Sequence, residues 1–165
     1  MAWVDSNYNF LFVDIGGYGT SGDSTIFNYS TMGRRLADNT LGIPQATLLP
    51  NDDNGRPMPF VVVADEAFGL RANIMRPYPK KKVMYLQRIF NYRHVRARRV
   101  VECTFVILAS KWRILYRPLN TSVLFSESIV KACCLLHNYV RSKDGINFDD
   151  TLYEVPLEPL NPCNM

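Results

Sequence analysis

Two short apolar runs open the chain, Ala2–Val4 and Phe10–Val13, on either side of a polar turn at Ser6-Asn7. Strand-forming residues flanking turn formers predict a β-hairpin. A chain that enters directly on a strand reads as a fold joined part-way through. The glycine-rich stretch Gly16 to Ser24 lacks both the Gly-Lys-Ser/Thr ending and the dinucleotide spacing of a phosphate cradle, so it reads as a plain turn. Asp23 or Ser24 is then expected to cap a helix through "TIFNYSTMGRRLAD". Pro44, Pro50, Gly55, Pro57 and Pro59 punctuate a loop. Phe60 to Ala64 is a continuous apolar run, which predicts a buried, central strand. After the basic loop "RPYPKKK" the apolar residues fall into three- and four-residue steps. Leu86, Ile89, Phe90, Ala97, Val101, Phe105, Leu108 and Trp112 place a helix over about Met84 to Leu115. A second helix is expected over Glu127 to Lys143. The order β-β-α-β-α-α implies an α/β fold, a mixed sheet with helices packed on it.

Length and composition narrow this little. The 165 residues, 47% apolar and 12% aromatic, suit one folded domain over 1–143, followed by an acidic, proline-containing tail over 144–165. No apolar run reaches 18 residues and no basic leader precedes one, so the expectation is an intracellular protein, nuclear or cytoplasmic, with no membrane partner. Four cysteines without a secretory signal point to reduced thiols. Cys133, Cys134 and His137 share one helix and offer two metal ligands at most. No second Cys/His pair accompanies them, and a packed core is the better reading. His94 and His137 form no nucleophile–base arrangement.

Charge changes the picture more. From Arg71 to Arg117 there are thirteen Lys and Arg residues against one acid, Glu102, while after Lys143 five acids stand with no base. A short basic run is usually a solvated helix face. This segregation instead suggests a polyanion-binding body, with Lys80, Lys81, Lys82, Arg93, Arg96, Arg98 and Arg99 as candidate nucleic-acid contacts.

Against that background two carboxylates stand out. Asp65 follows the apolar run of "FVVVADEAFG", at the strand end where ligands collect in open α/β sheets. Either the strand stops at the surface there or its end holds a site. Glu66 points the other way if strand geometry persists. Glu102 lies four residues after Arg98, and the bland reading is an exposed ion pair worth about 0.3–0.5 kcal/mol. Its retention in a stretch that otherwise excludes acids weakens that reading. Were Asp65 and Glu102 to converge, a divalent cation would relieve their repulsion, and Mg2+ binds through one or two carboxylates plus phosphate oxygens. Two such ions about 3.5–4 Å apart can activate water against a phosphodiester.

Four blocks carry a resemblance: "NYNFLFVDIGGYGTSGDSTIFNYS", "PFVVVADEAFGLRANIMRPYP", "RIFNYRHVRARRVVECTFVILASKWRIL" and "ACCLLHNYVRSKDG". In order and spacing, from about Asn7 to Gly145, the chain resembles the Harbinger-type DDE endonucleases, which are transposases and nuclease-like proteins derived from them. The resemblance implies a ribonuclease-H-like fold and a divalent-metal site, Mg2+ or Mn2+, built by an Asp–Asp–Glu triad. It puts the second acid on Asp65 and the third on Glu102, and gives Asp23 a capping or second-shell role. The family's first aspartate lies on a strand upstream of the opening hairpin. Asp5 and Asp14 match hairpin positions instead, so the first strand is expected to be missing and the triad incomplete. Ala64 and Val106 stand where family members have glycine, and Val106 is expected to crowd the helix contact.

Two functions follow. One is a metal-dependent DNA endonuclease, impaired by loss of its first aspartate, with a separate DNA-binding protein as an expected partner. The other is a non-catalytic DNA-binding or partner-binding module derived from a transposase.

Overall fold

Asp5 makes the hairpin. Its Oδ1 accepts the backbone N–H of Asn7 (2.8 Å) and Asn9 (2.9 Å), and its Oδ2 accepts the Asn9 side-chain amide (3.0 Å). Tyr8 is thereby held at φ 63°, in the left-handed region. The computed structural model describes residues 1–17, 22–79, 81 and 83–144; the expected acidic tail lies almost wholly outside them. Strands β1 (Ala2–Val4) and β2 (Phe10–Val13) pair antiparallel, with Trp3 opposite Phe12 and a register shift between Trp3 and Val4. The shift matters because a one-residue slip exchanges faces. It puts Phe10 on the Val4 face, leaves Leu11 66% exposed, and keeps Trp3 and Phe12 on the other side.

The hairpin therefore stands between two apolar clusters. Phe10, Leu108, Cys133 and Cys134 form one, and Phe27, Met32, Leu36 and Ile74 the other. Burial pushes both thiols above their ordinary range. Among the described residues Cys103, Cys133 and Cys134 are all free thiols.

The helix expected after the glycine-rich turn is two helices. α1 spans Asp23–Tyr29 and α2 spans Thr31–Ala37. Ser30 breaks them at ψ 155°, capping α2 by accepting the Gly33 N–H (2.9 Å) while its hydroxyl donates to the Phe27 carbonyl (2.7 Å). A side chain at position 33 would run into that carbonyl, so the turn requires glycine. The N-cap of α1 is Gly22, not Asp23 or Ser24. Asp23 is the first helical residue and makes no capping hydrogen bond; its charge suits the positive end of the helix.

β3 (Val62–Val63) and β4 (Ile74–Met75) form a parallel pair. β3 is shorter and less buried than expected, with Phe60 and Val61 exposed. Among the described residues it pairs on one side, so it is not central. The α/β class holds, but among the described residues the strands form two separate two-stranded ladders in place of a single mixed sheet. α3 (Tyr85–Lys111) is entered by a reach-back of the Gln87 side chain to the Met84 N–H (2.9 Å). It ends in the 3-10 turn Arg113–Tyr116. α4 (Val123–Asp144) begins earlier than expected, where Ser122 accepts the Ser126 N–H through its carbonyl (2.9 Å) and the Phe125 N–H through its hydroxyl (3.4 Å).

Candidate functional site

β3 delivers Asp65 to the surface of the cleft where β1, β3 and α3 meet. Met1, Ala2 and Trp3 line one wall of this space of about 120 Å3, Val62 to Asp65 another, and Arg98 and Val101 project from α3. Behind Asp65 the chain turns sharply. The Asp65 Oδ1 accepts the Ala67 N–H (2.8 Å) and its carbonyl accepts the Phe68 N–H (3.3 Å), an Asx turn that fixes the carboxylate at the strand end. Glu66 and Ala67 face solvent.

Three basic or ring side chains hold this corner. Arg76 donates to the Phe68 carbonyl (3.3 Å), and Arg71 donates to the Asn28 side chain (2.8 Å) while lying 5.8 Å from the Phe27 ring centroid. His94, buried on α3, contacts the Met75 carbonyl through Nε2 (3.1 Å). A carbonyl can only accept, so Nε2 carries the proton and Nδ1 is left buried without a partner. His94 thereby seats α3 against the β3–β4 pair. Sequence reasoning gave it no role, because its partner is a backbone group brought near only by folding.

Glu102 has a partner: the Arg98 guanidinium lies 2.6 Å from its Oε1, with the two side chains 34% and 54% exposed. The bland reading of this glutamate is thus present in the structure. Arg98 lines the cleft with Asp65, whereas Glu102 and Asp23 do not. Arg98 thus pairs with Glu102 and also lines the cleft of Asp65. Among the described residues no three His, Cys, Asp or Glu side chains come close enough to hold a metal ion. The carboxylate oxygens of Asp65 and Glu102 are of the right chemical kind for Mg2+, which binds through one or two carboxylates. Asp5 cannot supply a third arm, since the hairpin turn uses both its oxygens. Asp14 contributes its backbone to Met1. Val106 is 46% exposed on α3. Ala64 packs against the second cluster.

The expected nucleic-acid contacts divide. Arg93, Arg96 and Arg99 are exposed on α3 and Lys81 is exposed before it, while Arg98 turns to the cleft. Lys80 and Lys82 lie outside the described residues. The chain leading to them is pinned at Tyr78, whose N–H and carbonyl are both met by the Asn91 side-chain amide (2.8 and 3.0 Å). Among the described residues no helix is long and apolar enough to cross a membrane.

Comparison with known proteins places these residues in context. The family model described as DDE superfamily endonuclease matches residues 1–138. Protein ALP1-like from Arabidopsis thaliana is 27% identical over 173 residues, an alignment covering 99% of this chain and 39% of that protein. The chain thus spans about two fifths of the length of that relative. No solved structure matches.

Proposed function

The chain belongs to the DDE superfamily endonuclease family, and from that premise we propose that it is a transposase-derived endonuclease domain of ribonuclease-H-like type acting on DNA. The observation that carries this reading is Asp65, fixed at the C-terminal end of β3 and opening into the cleft that Arg98 shares. In this reading Asp65 and Glu102 are two of the three carboxylates that would serve Mg2+ or Mn2+. Asp23, the first residue of α1, acts from outside the ligand set. Lys80 to Lys82 and the α3 arginines hold the phosphate backbone, with Arg98 nearest the acids. Arg98, paired with Glu102 and lining the cleft of Asp65, would neutralise charge beside them. DNA is the substrate, a separate DNA-binding protein is the partner that would supply sequence choice, and the site of action is the nucleus or the cytoplasm.

Plasmid nicking by a version extended upstream to include a third aspartate tests this. Nicking should need Mg2+ or Mn2+ and vanish in Asp65→Ala. Nicking that survives the substitution removes the assignment.

The Arg98–Glu102 contact favours a second reading, a DNA-binding module without chemistry. It predicts salt-sensitive DNA binding that Asp65→Ala leaves unchanged, and an extended version that never nicks.

A further inference from the structure

The exposed face of α3 carries an ordered pattern that charge alone does not require. Tyr85, Arg88, Tyr92, Arg96 and Arg99 are all exposed. At 100° per residue they fall within about 80° of the helix circumference, and the stripe extends about 21 Å along the axis. Aromatic and basic residues alternate from Tyr85 to Arg96, and Arg99 adds a further base. The two rings stand about 10 Å apart along the helix, 65% and 38% exposed. The Arg96 guanidinium lies 5.8 Å from the Tyr92 ring centroid, a geometry in which the ring already receives a flat cation.

A merely solvated face looks different. It intersperses acids three or four residues from its bases, because like charges at those spacings destabilise a helix. Between Tyr85 and Arg99 there is no acid, and the glutamate three residues beyond Arg99 is held by Arg98. Arg93, Arg96 and Arg99 repel one another at three-residue steps, and a polyanion relieves that repulsion. Duplex DNA would satisfy the arginines through phosphates but leave the tyrosines idle, since its bases are stacked on each other. Unpaired bases offer faces to both rings while their phosphates reach the guanidinium groups.

We infer that this stripe binds single-stranded DNA, with bases stacked on Tyr85 and Tyr92 and the backbone held by Arg88, Arg96 and Arg99. The inference rests on the DNA reading above and adds the state of the strand that the domain grips. Single-stranded DNA would then run along α3 past the basic loop at one end and toward the Arg98 side at the other.

The test is fluorescence anisotropy on the full chain with a labelled dT20, its dA20·dT20 duplex and rU20, across a salt series. Tyr85→Ala/Tyr92→Ala should lose about ten-fold or more in dT20 affinity, from the loss of two stacking platforms. Duplex binding should stay within about two-fold, because phosphate contacts are untouched. Tyr85→Phe/Tyr92→Phe keeps both rings and should bind as the parent does. Arg88→Ala/Arg96→Ala should weaken both ligands and flatten the salt dependence. All these side chains are exposed, and circular dichroism should be unchanged. Equal affinity of the parent for duplex and single strand, or dT20 binding unaffected by loss of both rings, overturns the stripe and leaves the DNA reading standing. Tighter binding of rU20 than dT20 overturns the choice of DNA for the stripe. No binding of either DNA at low salt overturns the DNA reading itself.

Discussion

The outer edge of β2 and the end of β3 are finished in opposite ways. Along β2, α4 answers the backbone group by group: the Asn138 amide meets both the N–H and the carbonyl of Phe10 (2.8 Å each). The His137 Nε2 lies 2.8 Å from the Tyr8 carbonyl, and Arg141 donates to the Asn7 carbonyl (2.8 Å) with its guanidinium 5.2 Å from the Tyr8 ring centroid. One helix thus takes the place of a neighbouring strand, and the edge is closed. Phe10 plugs the cluster beneath it, edge-on to His137 and Phe105. At β3 the ladder is two residues long, the flanking Phe60 and Val61 are exposed, and the strand ends in a half-buried carboxylate. The β2 edge is matched to α4 group by group, whereas the chain after β3 closes on its own Asx turn. Substitution should separate the two regions.

The largest effect belongs to the closed seam. Phe10→Ala removes a core ring and should destabilise the chain by about 3–5 kcal/mol in urea denaturation. A loss below about 1 kcal/mol would mean the first cluster does not support the fold. Asn138→Ala leaves the Phe10 N–H and carbonyl unanswered in a partly buried setting and should cost about 2 kcal/mol. Asn138→Asp keeps an acceptor but loses the donor, so it should destabilise as well.

Smaller still is the pH response of the same seam. The folded-state values of Cys133 and Cys134 are raised by burial above the ordinary 9.0. Above that value the unfolded chain has lost thiol protons that the folded chain still holds. Stability is therefore full below the ordinary value and falls as pH rises through the raised ones. Urea midpoints should fall above about pH 9, and a Cys133→Ala/Cys134→Ala background should flatten that slope. The smallest effect belongs to the open end. Arg98→Ala breaks a largely exposed pair and should change stability by less than about 0.5 kcal/mol. A loss of several kcal/mol would make Arg98 a support of the fold and erase the contrast.

The sequence made some of this readable. The hairpin follows from two apolar runs around turn residues, and the long helix from its three- and four-residue steps; both are local signals. The break at Ser30 was hidden because Ser30-Thr31 sits inside an uninterrupted helical pattern, and only the approach of Gly33 to the Phe27 carbonyl explains it. Phe60 and Val61 read as buried from hydropathy, yet both remain exposed at 46% and 36%. Asp65 was legible as a strand-end carboxylate and Glu102 as the lone acid in a basic run. That Arg98 joins the wall of the Asp65 cleft was not, since side chains on different elements meet only in three dimensions. Asn138 and His94 were invisible for the same reason: their backbone partners lie 128 and 19 residues away.

The separation of stability from chemistry is tested most directly by Asp65→Asn in the upstream-extended version, followed in parallel by urea denaturation and by plasmid nicking with Mn2+. The account predicts a urea midpoint within error of the parent and no nicking above background. Nicking at the parent rate, or a stability loss as large as that of Asn138→Ala, would contradict it.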